Sequence, residues 1–406
     1  MYQISGKQYS EEHPQLNEAL AAVYGTSTRP LCMCREGGVE MYIAKMNGTY
    51  IIKRMPDSGG KHSVTCDSYE PPTELSGRGE VMGGAIQTDM SEGITNLKFD
   101  FSLSKSGSRA APAKSAQEHD SVKSDGKKLT LRGTLHFLFD EAALTRWYPK
   151  MEGKRNWYVV RRALLGAAAD KRAKGSQLGD MLYIPESFSM ERKDEITHRR
   201  LSLFRTMSSQ EGSVRKLMLL IGEVKEIGDA RFGKKMVIKH LPDCHFMVND
   251  DLHKRLLKRF ETELSLWAGN ESVHLLTMAT FGVNSSGTAS IEECSVMLVN
   301  ENWIPFESLD ERLLIDSLIK SKRRFVKGLR YNLPSTKVLA SAVLNDTPEA
   351  VAMYIHPYGA DEKHAMDLQE LMAESEMASW QWNVAEAMPD FPDPVGSSNA
   401  EGGYRR

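Results

Sequence analysis

Residues 29–72 read RPLCMCREGGVEMYIAKMNGTYIIKRMPDSGGKHSVTCDSYEPP, and this stretch decides the expected fold of the N-terminal region. Two runs of alternating apolar residues flank Asn47-Gly48, a dipeptide suited to the positive φ angles of a tight hairpin turn. Cys32 and Cys34 stand before this hairpin, His62 and Cys66 after it. A hairpin brings its flanks to one end, so the four side chains converge as in a zinc ribbon. Zinc takes four thiolate or imidazole ligands in a tetrahedron. The expected cofactor is one structural zinc on Cys32, Cys34, His62 and Cys66. The Cys-x-Cys spacing is tighter than the common Cys-x2-Cys, and small buried thiols beside an incidental histidine would leave the same pattern. Cys244-His245 and Cys294 have no partners at ligand spacing and are read as ordinary core or surface residues.

Working outward, the chain has 406 residues, 41% hydrophobic and 26% charged. That is enough for two to four domains of about 100–200 residues each. The net charge of −2 excludes a uniformly basic coat, so any nucleic-acid surface must be a local patch. MYQISGKQYSEEHPQ has no basic segment leading into an apolar one, so no signal peptide is expected. The longest apolar run, near Leu217–Ile221, falls far short of the roughly 20 residues that span a bilayer. Five cysteines do not form a disulfide framework. A cytoplasmic location without membrane contact is expected, where clustered thiols hold metal.

The pattern predicts an α+β, multi-domain protein. The zinc-ribbon-like region covers 1–72. Residues 73–128 hold a hairpin turning at Glu92-Gly93 and, from 104, a Ser-, Lys- and Gly-rich linker. Residues 129–180 read as a strand running into a helix, then a second helix capped by Asn156 and stopped by Gly175. That helical hairpin suits a winged helix and equally any αα-hairpin. Residues 181–303 are mixed α/β, with strands around Gly228–Gly233 and one helix of four to five turns after Asn249. Residues 304–388 read helix, strands, helix, followed by a disordered tail at 389–406.

The segment with CxC, RMP-x-SG, H-x3-C and SYEPP resembles the start of an uncharacterised bacterial family of similar length. LYIPESF, the region Gly222–Trp267 and Trp380-x-Trp382 are similar too. That family, a domain of unknown function, is carried on integrative conjugative elements and plasmids. The resemblance implies a mobile-element context and supports the four-ligand cluster, but brings no activity with it.

Two basic stretches stand out. Residues 146–177 carry nine lysines and arginines against Glu152 and Asp170, interleaved with Trp147, Tyr148, Trp157 and Tyr158. KSKRRFVKGLR at 320–330 carries no acid. Cations neutralise phosphates, although short charge runs usually form solvated helix faces. The expected phosphate contacts are Arg155, Arg161, Arg162, Arg323 and Arg324. Trp147 and Trp157 are assigned to the core.

Signals for catalysis are thinner. Glu223-Val224-Lys225 is half of a PD-(D/E)xK nuclease signature, with Asp180 or Glu186 as the missing acid. The C-terminal layout resembles a restriction-endonuclease αβββα core, but Ser341 and Ala352 stand where carboxylates would be needed. It reads as a decayed nuclease domain, with Asp346 and Glu349 as turn residues. There is no Walker motif, and Gly77–Gly84 reads as a loop. The expected function is therefore zinc-containing, non-catalytic nucleic-acid binding, DNA ahead of RNA, together with other proteins of a mobile element. A metal-dependent nuclease using Glu223 and Lys225, and an adaptor between proteins of conjugation or defence, are the alternatives.

Overall fold

Glycine and alternating residues at the N-terminus build an antiparallel sheet. The computed structural model describes residues 1–406 apart from 47, 57, 90–92, 106–125, 209–213 and 396–406. Strands β1 (Tyr2–Ile4) and β2 (Lys7–Tyr9) turn through Ser5 and Gly6, both at positive φ. Helix α1 (Leu16–Val23) buries Leu20. Strands β3 (Leu31–Cys32), β4 (Val39–Met46) and β5 (Thr49–Arg54) complete the order β2-β1-β3-β4-β5. The expected hairpin is β4–β5, with Gly48 at φ +81°, while Asn47 lies outside the described residues. Three-residue strands are too short to show alternation, which hides β1 and β2 in the sequence.

The glycine-rich stretch at 77–84 is not a plain loop. It contains helix α2 (Arg78–Val81), and Gly77 lies so close to the Arg330 carbonyl that a Cβ would stand 2.0 Å from its oxygen. Close packing, not phosphate binding, explains that glycine. Strands β6 (Ile86–Asp89) and β7 (Ile94–Leu97) form the second expected hairpin; Gly93 is at its turn and Glu92 lies outside the described residues. Most of the expected linker also lies outside them, but Ser104–Lys105 is a strand, β8.

Helix α3 (Leu131–Glu141) begins at the Thr130 cap, so the strand expected before it shrinks to a single Phe99–Leu129 bridge. Strand β9 (Arg146–Trp147) separates α3 from α4 (Trp157–Ala168), which Asn156 caps as expected. The second helix stops well before Gly175. That glycine turns β10 (Lys171–Ala173) into β11 (Ser176–Gln177), extending the β6–β7 hairpin in the order β11-β10-β7-β6.

Next come β12 (Leu182–Tyr183), α5 (Lys193–Met207) and β13 (Arg215–Lys216), which pairs with β8. Five strands then close into a barrel. They are β14 (Met218–Asp229), β15 (Lys234–Ile238), β16 (His245–Val248), β17 (His274–Val283) and β18 (Ala289–Val299). The pairings run β14–β15–β16–β18–β17 and back to β14; all are antiparallel except β16 with β18. Between β16 and β17 lie α6 (Asp250–Arg259) and α7 (Glu261–Ala268), two helices where one was expected, broken at Phe260. Leu220, Met236, Phe246, Ala279, Phe281 and Ile291 belong to the barrel's apolar cluster, against which α6 packs Leu252 and Leu256. Leu219, Ile221, Leu276, Met278, Met297 and Val299 join a second cluster with Leu135, Leu138, Val160 and Leu164 of α3 and α4.

After β19 (Pro305–Phe306), the C-terminal part runs α8 (Leu309–Lys320), β20 (Phe325–Lys327), β21 (Ala342–Leu344), β22 (Val351–His356), α9 (Glu362–Ser375) and β23 (Ala378–Asn383). The sheet order is β23-β22-β21-β20-β9, with β23 parallel to β22. Strand pairings therefore run across the expected domain boundaries: β9 from 129–180 joins this sheet, and β10 joins β7. The tail is docked as far as Val395, whose N–H donates to Asp346 at 2.7 Å, while the Trp380 indole donates to Asp390. Among the described residues, no helix is long and apolar enough to cross a membrane.

His136 of α3 is buried and accepts a hydrogen bond at Nδ1 from the Tyr331 N–H at 2.9 Å. Burial, with Arg132 adding to it, pushes its pKa down to about 3. The folded value lies below the unfolded one, so stability is complete above roughly pH 6.5 and falls on acidification, by about 1.4 kcal/mol per pH unit at most for one such group. His62 and His240 are lowered by burial too and act with the same sign. Urea denaturation between about pH 6.5 and 5 should show this loss, and His136→Gln should make its slope shallower. An unchanged slope would remove His136 as a cause.

Candidate metal centre

Cys32 ends β3, Cys34 follows it, and His62 and Cys66 come after β5, so the β4–β5 hairpin does bring both pairs together. Their ligand atoms all lie within 4.8 Å of one another. Cys32 Sγ is 3.7 Å from Cys66 Sγ, and His62 Nδ1 is 3.4 Å from Cys34 Sγ and 3.8 Å from Cys66 Sγ. With Zn–S near 2.3 Å and Zn–N near 2.0 Å, tetrahedral edges are about 3.8 Å and 3.5 Å. These three separations are close to those edges. The Ser63 and Ser68 N–H groups each donate to a ligand sulfur at 3.4 Å, polarity that suits thiolate charge. His62 is fully buried, placed by the 3-10 turn Gly59–Lys61. Gly59 is required there, because a Cβ would stand 2.5 Å from Glu70 Cβ.

Burial and the Cys66 thiol push Cys32 up to about 12, and burial raises Cys66 and lowers His62. A bound divalent cation reverses this by deprotonating the thiols it coordinates. Four protein ligands would leave a bound ion no open position. These residues fit a metal such as zinc.

The arginines read as phosphate contacts divide sharply. The Arg155 Nη1 donates to the Leu144 carbonyl at 2.8 Å, its Nη2 donates to the Arg146 carbonyl, and the guanidinium lies 5.7 Å from the Trp147 ring centroid. Burial lowers its pKa to about 10. Arg323 is 5% exposed and forms a two-pronged pair with Asp346 at 3.0 and 2.8 Å. Both guanidinium groups are engaged inside the chain. Arg324 pairs with Asp67 at 2.8 Å, and Arg161 donates from Nε to the Ile184 carbonyl at 2.9 Å. Arg162 is exposed and has no partner among the described residues. Lys150, Lys154 and Tyr158 share that exposure, Tyr158 at 60%. Trp147 and Trp157 are core residues, as expected.

Glu223 is buried at the end of the barrel, where it takes hydrogen bonds from Lys239 at 2.7 Å and His274 at 2.8 Å. Burial opposes its ionisation, but those two partners outweigh it and hold the carboxyl below the usual range. His274 stacks on Trp303 at 4.6 Å and His240 on Trp157 at 5.3 Å, a cluster that sequence spacing did not reveal. Lys225 is exposed, Asp180 is exposed, and Glu186 pairs with Arg199 at 2.8 Å, so among the described residues no second acid joins Glu223 in a metal-capable group. Among the described residues the cysteine–histidine cluster is the metal-capable group found. Ser341 stands just before β21, its N–H donating to the Met353 carbonyl at 2.9 Å, and Ala352 lies on β22, so neither place offers a carboxylate; Asp346 lies in the turn between β21 and β22, as expected, and there pairs with Arg323.

Protein purified without chelator should carry about one zinc per chain, and cobalt substitution should give thiolate charge-transfer bands. Cys34→Ser or His62→Ala should lower the metal content and the melting temperature. Full metal content in either variant would exclude the four-ligand site. Arg323→Ala should cost about 3–5 kcal/mol in urea denaturation, because Asp346 would be left as a poorly solvated charge.

A family model described as a protein of unknown function (DUF1173) matches residues 2–385. No curated protein and no solved structure matches the chain. The match spans the metal cluster, the barrel and the C-terminal sheet together, and the chain belongs to the DUF1173 family.

Proposed function

We propose that this protein is a cytoplasmic, zinc-stabilised nucleic-acid-binding protein of mobile genetic elements, acting on DNA without cleaving it. The observation that carries the reading is the outer face of α4 and the turn before it. Lys150, Lys154, Tyr158 and Arg162 stand there in solvent without partners among the described residues, while most other cations of the two basic stretches are paired inside the chain. Free cations beside an exposed aromatic ring suit a phosphate backbone. In this reading zinc is the ion of the cluster and stiffens the N-terminal sheet.

The order of α8, three antiparallel strands, α9 and a parallel fourth strand supports the decayed-nuclease reading of the C-terminal part. It would serve as scaffold, because Ser341 and Ala352 cannot hold a metal. The mobile-element setting rests on the family resemblance.

Titration against fluorescent DNA should give affinity that falls with salt by a slope of about 0.9 per neutralised phosphate. Lys154→Glu with Arg162→Glu should weaken binding and reduce that slope by about two. Absence of binding at low salt would remove the reading and favour the adaptor, which salt-sensitive capture of a partner protein would support. Cleavage dependent on Mg²⁺ and lost in Glu223→Gln would favour the nuclease.

A further inference from the structure

The barrel order β14-β15-β16-β18-β17, with helices between its third and fourth strands, is the connectivity of an OB-fold. In that fold the second and third strands and the first loop hold oligonucleotides. Connectivity alone does not assign function, so the argument rests on what this barrel exposes. Strands β14, β17 and β18 turn their outer residues into the cluster shared with α3 and α4. Strands β15 and β16 do not: Lys235 lies opposite Met247 and Val237 opposite His245, with His245 exposed, Lys235 and Met247 half-buried and Val237 buried.

The β14–β15 loop overhangs this face. Phe232 at its tip is 76% exposed, and the Arg231 guanidinium lies 5.3 Å from its ring centroid. Beneath it opens a groove of about 440 Å³, lined by Phe232, Met247, Asn249, Asp250, Ser290 and Glu292 among others. Charge is arranged in two zones. In residues 225–235, Lys234 pairs with Asp229 at 2.5 Å and Lys235 with Glu226 at 3.1 Å, which leaves Lys225 and Arg231 as the excess positive charge. The groove itself holds the carboxylates of Asp250 and Glu292, the latter paired with Lys105 at 2.6 Å.

We infer that this face binds a single-stranded nucleic acid, with the backbone along the cationic hairpin and a base in the groove against Phe232. Carboxylates in the groove repel a phosphate but accept hydrogen bonds from an exocyclic amino group of a base. Every base has a flat π-face, so an exposed aromatic side chain stacks on it without strict sequence preference. A paired base cannot leave its stack to enter the groove without breaking the duplex, so the arrangement selects single strands.

This inference rests on the nucleic-acid reading but uses a different surface from α4, so the two fail separately. The test is anisotropy titration of the full chain with a labelled mixed-sequence DNA strand, the same sequence as RNA, and the DNA duplex. Phe232→Ala removes a solvent-exposed ring, and its melting temperature should stay at the wild-type value. It should weaken single-strand binding roughly 5- to 100-fold, the range of one lost stacking contact, and leave duplex binding and the salt slope unchanged. Arg231→Gln should reduce the single-strand salt slope by about one. Phe232→Trp should restore the affinity. The DNA and RNA arms assign the source of the strand. Wild-type affinity in Phe232→Ala, or a wild-type preference for the duplex, would overturn the inference even if Lys154→Glu with Arg162→Glu abolished binding. No binding of any strand by the wild type would remove both readings.

Discussion

Glu70 accepts an ion pair from Arg54 at 2.6 Å and lies 3.7 Å from both Arg78 and Arg146. It stands four residues beyond the metal-cluster residue Cys66. Asp67, next to that cysteine, accepts from Arg146 at its carbonyl, at 2.9 Å, and from Arg324 at its carboxylate, at 2.8 Å. Tyr69, between them, is buried with Ala340, Tyr354 and Leu368 of the C-terminal part. The short segment after Cys66 therefore fastens the N-terminal sheet to α2, β9 and the C-terminal sheet at once. The charges continue inward: Lys171, 1% exposed, pairs with Glu141 and Asp170, and Asp170 also meets Lys53 of β5. Buried charges tolerate little misplacement, since removing one partner leaves the other unsolvated. A metal that fixes Cys66 fixes the positions of Asp67 and Glu70 as well. Its effect reaches well beyond its own ligands.

Local features of the sequence carried much of this. The β4–β5 hairpin, the ligand set it gathers, the caps at Asn156 and Asn249, and the β14–β15 turn each depend on residues within a few positions of one another. The fates of the arginines were not legible for the opposite reason. Arg323 finds Asp346 and Arg324 finds Asp67, 257 residues away in the chain. A run such as KSKRRF shows its charges but not whether a carboxylate waits for them elsewhere. The barrel was hidden in the same way. Its closure depends on β14 meeting β17 and on one parallel contact between Met247 and Ser290, pairings that no turn signal announces. The Glu223 cluster likewise draws His240, His274 and two tryptophans from distant segments.

The net charge of −2 is consequently a poor guide to the surface. Several cations of the basic stretches neutralise carboxylates within the fold and contribute nothing to the field outside. What solvent meets is set by the unpaired remainder, and on the outer face of α4 that remainder is positive.

The strand sequences themselves record which part of the barrel is walled in. MLLIG in β14 and HLLTMATFGV in β17 are nearly continuous apolar runs, as expected for strands covered on both faces. KKMVI in β15 and HFMV in β16 are shorter and begin with polar residues, as expected for a face left to solvent. Among the described residues, nothing inside the fold then requires Phe232. It makes no packing contribution to the barrel cluster, and the positive-φ position of its loop belongs to Gly233. A polar side chain would close the loop as well and would expose less apolar surface. The fold accounts for Lys171 deep in its ion-pair network and for Gly77 against a carbonyl. It does not account for an aromatic ring held out over a groove, and a ligand with a flat apolar face does.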